Sequence, residues 1–336
     1  MAVPGGMLPS AGSAFNQLNY VTRRAFTGQA VVQVGQQTPA LAAFIGTAKM
    51  ASGGVSQITQ PVQTVAMTQP QWSGYGGSFT GPQDIQGMVN AEWNLSLMID
   101  PIPFLGMEGL VQNDYAVVPL IAQRMNSAIP DMRDALGTAL FNNTSNNLQM
   151  QGLPWAVDDG TNNATWGGLS RTATQNWKST VYNAGGAAPT RSNLLQYING
   201  TFKASGGELP SFGLCGIGTW TLLAQDFQAQ ETLMITPGSQ FADSLKGVGT
   251  AFRAIDVAGI PIYCDPYCPE GTMYLINHKY VNMFIHEMAQ FAFTGFESTL
   301  PNNALGFVGA VIFAPQVINA KPRTCTRITN FASAAI

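Results

Sequence analysis

Residues 55–67 read VSQITQPVQTVAM, residues 70–82 read PQWSGYGGSFTGP, and residues 90–102 read NAEWNLSLMIDPI. The two outer stretches alternate. Val55, Gln57 and Thr59 fall on one face, and Ile58, Gln60 and Val62 on the other, which is the period of a β-strand. Pro61 has no N–H to give to a ladder, so this strand is expected at an edge. In the third stretch Glu92, Asn94 and Ser96 point away from Trp93, Leu95 and Leu97. The middle stretch is dense in glycine and aromatic side chains. The pattern predicts an extended hairpin with a long glycine-aromatic tip. A lone two-stranded hairpin is marginal in water, so this one calls for a partner surface.

On the C-terminal side, residues 113–141 are predicted to form a long helix. Val117, Ile121, Met125, Ala128, Met132, Ala135, Leu136, Ala139 and Leu140 recur at spacings of three and four. Asn113 or Asp114 can cap its start, and Pro119 suits a first turn. Pro130 removes a backbone donor in mid-helix, and a bend is expected there. At about 1.5 Å per residue such a helix is roughly 40 Å long. On the N-terminal side, residues 39–50 (PALAAFIGTAKM) read as a short helix stopped by Gly53 and Gly54. Residues 1–38 are rich in Gly, Ala, Gln, Ser and Pro, with scattered anchors at Phe15, Leu18, Tyr20 and Phe26. That is too little apolar area to fold alone, and the segment reads as an arm laid on another surface or as disordered chain.

Further along, residues 142–168 carry loop chemistry (NNTSNN, DDGTNN). Residues 190–205 read as a helix capped by Thr190 or Ser192, 214–217 as a strand and 218–236 as mostly helix. Residues 253–257, 260–265, 273–277, 281–293 and 306–319 read as strands between Gly and Pro turns. Helices and strands mix without regular alternation, so the fold class is α+β.

The 336 residues carry only 10% charged side chains, against about 25% in an average soluble domain. Uncharged polar residues and glycine fill the gap. Interfaces lose charge toward their centres, so the composition points to a subunit contacted by neighbours. A net charge of −3 leaves no basic footprint for tight nucleic-acid binding. The longest uncharged apolar run, 305–315, is too short to span a bilayer. The opening MAVPGGMLPS has no basic flank and no continuous apolar core, so no secretory signal is expected. Cys215, Cys264, Cys268 and Cys325 are too few for a disulfide scaffold.

Catalytic chemistry finds little footing. His278 and His286 are the two histidines, and no G-x-S-x-G elbow occurs. His286 lies in the alternating run VNMFIHEMAQFAF and reads as a sheet histidine. Cys264 and Cys268 followed by His278 and His286 form a donor set that zinc accepts, but the spacing fits no known knuckle, and turn cysteines are the expectation. Two partial glycine patterns, at 216–218 and 247–249, lack the third glycine of a dinucleotide loop. Asp158 and Asp159 read as solvated loop carboxylates. Arg23 and Arg24 are candidates for touching nucleic acid or an acidic neighbour. No catalytic residue, metal ligand or cofactor site is nominated.

The order of parts resembles the major capsid proteins of tailed bacteriophages with the Hong Kong 97-type fold. The resemblance runs over roughly 39–336 and is carried by five colinear stretches. These are PALAAFIGTAKM (39–50), SGYGGSFTGPQDIQGMVNAEWNLSLMI (73–99), GLVQNDYAVVPLIAQRMNSAIPDMRDALGTALFNN (109–143), WGGLSRTATQNWKSTVYNAGG (166–186) and GVGTAFRAIDVAGIPIYCDPYCPEGTMYLINHKYVNMFIH (247–286). It implies an N-terminal arm at 1–38, a short helix at 39–52 and an extended loop hairpin at 53–105. It further implies a peripheral domain with a spine helix at 106–164, an axial domain at 165–294 and a return to the peripheral domain at 295–336. Trp72, Tyr75 and Phe79 would then form the loop tip and touch a neighbouring subunit.

The implied function is self-assembly, as pentamers and hexamers, into an icosahedral head shell around double-stranded DNA held without sequence preference. The implied location is the virion, with assembly in the bacterial host cytoplasm and with scaffold, portal and decoration proteins as partners and no membrane. Fourteen methionines and many uncharged polar side chains suit interfaces that adapt between five- and sixfold settings. Pro119 and Pro130 depart from the expectation of an unbroken spine. The Lys–Asn crosslinking of some relatives is not carried over, because just Lys49 among six lysines lies near the loop. Residues 1–38 are short for a built-in scaffold segment, so scaffolding is expected from a separate protein or is not needed. The same fold serves bacterial encapsulin compartments, which are the rival reading.

Overall fold

The structure, a computed structural model, describes residues 38–52, 54–66, 70–77, 81, 87–105, 120–143, 148–174, 176–228, 254–295, 297–298 and 306–335. Arg23, Arg24, Phe79 and Pro119, with the helical expectations at 113–119 and 229–236, lie outside the described residues.

Helix α1 spans Pro39–Gly46. The Thr38 hydroxyl caps it by accepting the Leu41 N–H, and Pro39 fills its first turn. The helix is shorter than its sequence pattern predicts. Lys49 and Met50 belong to strand β1 (Lys49–Ala51), which pairs in parallel with Phe284–His286. A distant strand has overridden local helix preference. Strands β2 (Gln57–Gln63) and β3 (Met88–Asn94) form the expected hairpin, in register from Gln57↔Asn94 to Gln63↔Met88. After three residues the chain enters β4 (Met98–Leu105), so the expected second strand is two strands.

Helix α2 is described over Leu120–Phe141 and continues on both sides of Pro130. The stretch expected to be loop holds a helical turn, α3 (Leu153–Ala156), and a tight pair, β5 (Thr165–Trp166) and β6 (Leu169–Ser170). Strand β7 (Thr180–Asn183) precedes α4 (Arg191–Ser205). Thr190 caps α4 by accepting the Asn193 N–H, and Gly206 closes it at φ 81°, where glycine meets no Cβ penalty. Then follow β8 (Phe212–Cys215), α5 (Ile217–Gln228), β9 (Ala254–Val257), β10 (Ile260–Cys264), β11 (Met273–Ile276) and β12 (Val281–His286). A 3-10 turn at Glu287–Ala289 ends β12 earlier than the alternation implied. The chain finishes through β13 (Ala292–Phe293), β14 (Glu297–Ser298), β15 (Gly306–Phe313), β16 (Pro315–Asn319), a 3-10 turn at Pro322–Thr324, and β17 (Thr326–Thr329).

The chain divides into two compact units. One includes Asp100–Met132 and Phe293–Val311. A sheet ordered β13-β15-β14, with β4 also on β15, falls mainly here. Arg124 donates from Nη1 to the Pro103 carbonyl at 2.8 Å. The Asp100 carboxyl is pushed up by burial and by the neighbouring Asp131 charge.

The other unit contains Gln36–Ile99, Arg133–Ala292 and Ile312–Ile336. Its centre is a six-stranded sheet ordered β7-β17-β11-β8-β10-β9. One layer of core joins Leu194 and Ile198 of α4 and Leu223 of α5 to Cys215, Ile255, Ile262, Met273, Leu275 and Ile328 of the sheet. Other sheet side chains meet different partners: Phe212 packs edge-on against Phe44 of α1, and Tyr274 lies 5.9 Å from Phe141 of α2. Burial from both faces explains why β8 and β11 are apolar without alternation and fully buried. The same unit holds the β1-β12-β16 sheet and both hairpins.

Candidate assembly interface

The hairpin is anchored at its root and bare at its tip. No residue of β2 is buried. In β3, Ala91 and Trp93 are buried, and Trp93 is 2% exposed. The Trp93 ring meets Trp166 edge-on at 5.9 Å. Trp166 donates from Nε1 to the Asn319 carbonyl at 3.0 Å, and Trp177 donates from Nε1 to the Trp166 carbonyl at 2.9 Å. Gly167 completes the joint. Its carbonyl accepts the Glu92 N–H, its φ is +57°, and a Cβ there would come within 2.8 Å of the Trp93 ring. Three indoles and one glycine thus bolt the hairpin to the body of its unit. Alternation alone did not reveal this joint; the pairing of Trp93 with the W-G-G of 166–168 was its available signal.

Trp72 and Tyr75 are fully solvent-exposed, at 104% and 112%. The two stand in residues 70–77, all exposed and all uncharged. Large apolar side chains displayed in this way make the tip a candidate interaction site, and Trp and Tyr are the residues that interface hot spots favour.

Among the described residues, grooves adjoin the hairpin on two sides. One, of about 470 Å³, is lined by Gln60–Ala66 on one side and by Trp177, Tyr280 and Ala320–Arg323 on the other. Lys321 bridges Glu208 at 2.7 Å, and the Tyr280 hydroxyl donates to the same carboxylate at 3.0 Å. The hydrogen bond from Lys321 chiefly holds the Glu208 carboxyl below its ordinary range. The second groove, of about 410 Å³, is apolar. Val55, Leu95 and Leu97 at the hairpin root face Met288, Ala289, Ile312 and Ala314 across it. Met288 is 71% exposed and Leu97 54%.

Asp158 corrects a sequence expectation. It is buried, not solvated. Arg327 donates to its carboxylate from Nη2 at 2.8 Å, and the Gly160, Asn162 and Asn163 N–H groups also point at it. Burial pushes the carboxyl up, but these hydrogen bonds and the Arg327 charge outweigh it and hold the group below its ordinary range. Buried Arg171 donates to the Asp158 and Trp155 carbonyls, and burial lowers it to about 10. The cluster fastens the 158–163 turn to β17.

The thiol and imidazole set does not assemble. Cys264 ends β10, Cys268 lies in the following turn, and His278 lies between β11 and β12. His286 uses Nδ1 to accept the Met288 N–H. Burial raises the Cys215 and Cys268 thiols well above their ordinary value and Cys325 to about 11. Such thiols stay protonated and unreactive. Among the described residues, no group of three or more His, Cys, Asp or Glu side chains is placed to hold a metal ion. Among them too, no helix is long and apolar enough to cross a membrane.

The sequence matches no protein-family model and no curated protein. Solved structures do match, over nearly the whole chain. The capsid asymmetric unit of cyanophage A-1(L) is similar at a TM-score of 0.69 and 14% identity, covering 94% of this chain and 98% of that one. The capsid of a native GTA particle is similar at 0.59 and 8% identity, covering 97% and 100%. The SrpI encapsulin of Synechococcus elongatus PCC 7942 is similar at 0.56 and 13% identity, covering 92% and 95%. The chain therefore has the Hong Kong 97-type capsid fold, the α+β fold of shell-building proteins. The neighbours with this fold are shell subunits, and phage capsids recur among them.

Proposed function

We propose that this chain is the major capsid subunit of a tailed double-stranded DNA bacteriophage, a structural protein without catalysis that closes into the icosahedral head of the virion. The observation that carries the reading is the near end-to-end likeness to a cyanophage capsid chain, at a TM-score of 0.69. The exposed tip at Trp72 and Tyr75 supports it, because a hairpin with so little core of its own gains one from a neighbour. In this reading 1–38 is the arm, 53–105 the overlapping loop, 106–164 with 295–336 the peripheral domain and 165–294 the axial domain. Copies meet as pentamers and hexamers in the host cytoplasm. Scaffold, portal and decoration proteins complete the head, and the packaged DNA is held without sequence preference, with Arg23 and Arg24 of the arm as candidate contacts.

Light scattering and negative-stain imaging of the purified chain test the reading. Closed polygonal particles or discrete pentamers and hexamers are expected. Deleting residues 70–82 is expected to leave a folded chain that forms no stable shells, and wild-type-like shells from that deletion would sink the role given to the loop.

The likeness to an encapsulin, at a TM-score of 0.56, favours a second reading, a bacterial compartment shell. The contents decide between them. Particles filled with phage DNA in infected cells support the head, and a resident cargo enzyme supports the compartment.

A further inference from the structure

The chain holds 15 lysines and arginines in 336 residues, with a net charge of −3, yet folding gathers part of this small set. Lys178, Lys203, Lys279, Lys321 and Arg323 come from elements that meet at the 3-10 turn Pro322–Thr324. Lys321 stands just before the turn and Arg323 within it. Lys279 and Lys321 lie over the same Tyr280 ring, at 5.2 and 4.9 Å from its centre. Arg323 reaches the end of α4, where its Nη2 is 3.8 Å from the place a Cβ on Gly206 would take, and Lys203 lies in the last turn of that helix. Lys178 precedes Ser179, whose hydroxyl donates to the Pro322 carbonyl at 2.8 Å. Lys178, Lys203 and Lys279 are exposed, and Lys321 and Arg323 are half-buried.

Negative charge is scarce on this face. The Glu208 carboxylate is already taken by Lys321 and by the Tyr280 hydroxyl. Among the described residues, none of the other four cations forms an ion pair. The groove of about 470 Å³ beside the turn is lined by Lys321 and Arg323, by the amides of Gln60, Gln63 and Asn176 and by the Thr64 hydroxyl, with no carboxylate among its lining residues. A cleft lined by one sign of charge concentrates ions of the other sign. Lys and Arg interleaved with amide and hydroxyl side chains are the set that contacts the phosphates and sugars of a nucleic acid. The aromatic rings here are not free to stack on bases or to anchor a peptide, because Trp177 is buried and Tyr280 is covered by two ammonium groups.

We infer that this face, centred on Lys279, Lys321 and Arg323 and flanked by Lys178 and Lys203, binds the phosphate backbone of double-stranded nucleic acid without reading its bases. The inference rests on the reading of the chain as the shell subunit of a DNA-filled head and deepens it, by naming a face of the folded body, apart from Arg23 and Arg24 of the arm, that meets the duplex. The turn is a firm base for such a face. Pro322 and Thr324 are buried, the Thr324 hydroxyl donates to the Lys321 carbonyl at 2.8 Å, and the Lys321 N–H donates to the Asn319 side chain at 3.2 Å. The overall negative charge hides the face from a sequence count, because its cations are drawn from four separate stretches of chain. A handful of phosphate contacts also gives loose binding. Each contact steepens the fall of log affinity with log salt by about 0.9, so the hold is easily released, as suits a container.

Fluorescence anisotropy of a short, labelled, mixed-sequence DNA duplex, titrated with the unassembled full-length chain over a range of salt, tests the face. Lys279→Gln combined with Arg323→Gln is expected to weaken binding and to flatten the salt dependence by about 2 in slope, one contact for each charge removed. Lys178→Gln combined with Lys203→Gln changes exposed side chains alone, so this second variant stays folded, and it is expected to flatten the slope in the same direction. Lys49→Gln, on β1 and outside the face, is expected to bind as the wild type does. Circular dichroism identical to the wild type is expected for all three. Affinity and slope unchanged in both double variants overturn the face. Marked preference for one duplex sequence overturns backbone binding. A poly-glutamate peptide of equal charge that binds more tightly than the duplex, and is lost in the double variants, assigns the face to an acidic protein segment and overturns the nucleic acid. Imaging the same preparations separates this failure from failure of the shell reading. Wild-type shells with duplex binding indifferent to the variants leave the shell reading standing without the face. A wild-type chain that forms no shells counts against the shell reading, while the titration of the unassembled chain still decides the face.

Discussion

The six-stranded sheet and the β2–β3 hairpin are both built from short strands, yet they use them oppositely. Each strand of the β8–β11 pair is buried along its whole length, covered on one face by α4 and α5. The hairpin buries two residues of β3 and none of β2. Burial at roughly 25 cal/mol per Å² of apolar surface therefore accumulates in the sheet, while the hairpin leaves Trp72 and Tyr75 of its tip in water. Stability of one copy is concentrated in the sheet, and in the proposed function the hairpin is what joins copies. Substitutions should separate cleanly along that line.

The hardest blow to the sheet side comes from its buried ion pair. Asp158→Ala strands Arg327 without its carboxylate, and breaking such a pair costs about 3–5 kcal/mol. Chemical denaturation is expected to show a lower midpoint with an unchanged slope. Leu275→Ala opens a cavity in the layer under α4 and α5, with an expected loss of about 2–5 kcal/mol. If either chain were as stable as the wild type, the sheet would not be where the fold is held.

A pH titration sharpens the same contrast. Asp265 lies just after β10, and its carboxylate accepts the Ala40 N–H at the start of α1 and the Tyr267 N–H. Burial pushes it up to about 6, against the pull of the Ala40 N–H, the Thr38 hydroxyl and the Cys268 N–H. A carboxyl raised in the folded chain binds protons more tightly there than in the unfolded chain. Its contribution is therefore most favourable below pH 4 and is lost as pH rises from about 4 to about 6. At 1.36 kcal/mol per unit, the loss is roughly 2–3 kcal/mol by pH 7. Asp265→Asn removes the titration. The stability difference between wild type and variant is expected to shift in the variant's favour across that window, and a difference flat from pH 4 to 7 would show that Asp265 does not titrate in this range.

Much of this division was readable in the residues. Strict alternation with Pro61 at an edge gave the hairpin, and the glycine-aromatic run gave its exposed tip. Thr190 gave the start of α4. What the residues hid depends on partners far away in the chain. Asp158 looks solvated in a D-D-G turn because its partner, Arg327, lies 169 residues on. Lys49 and Met50 continue a helical spacing, but β12 draws them into a strand. Strands β7 and β17 are four residues each, with Thr, Asn and Arg among them, too short and polar to show a period, and they exist because β17 pairs with β7 on one side and with β11 on the other. The root groove was invisible for the same reason, since its two walls come from 54–56 with 95–97 and from 286–314.

The smallest expected change in stability carries the largest expected change in behaviour. Trp72→Ala removes the biggest side chain of the tip, but that side chain touches only water in one copy. Surface substitutions of this kind fall within about 0.5 kcal/mol, so thermal melting of the unassembled chain is expected to be indistinguishable from the wild type. Assembly responds differently. Truncating a hot-spot aromatic costs about 2 kcal/mol or more at one interface, which is roughly a thirtyfold weaker contact. A closed shell repeats that contact in every copy, so a modest loss per contact becomes a steep rise in the concentration at which shells appear. Measuring that threshold by light scattering, with melting recorded on the same samples, decides the matter. A threshold unchanged in Trp72→Ala would place the joining surface elsewhere than the tip, and a lowered melting temperature without a shifted threshold would return the tip to the folded body of its own chain.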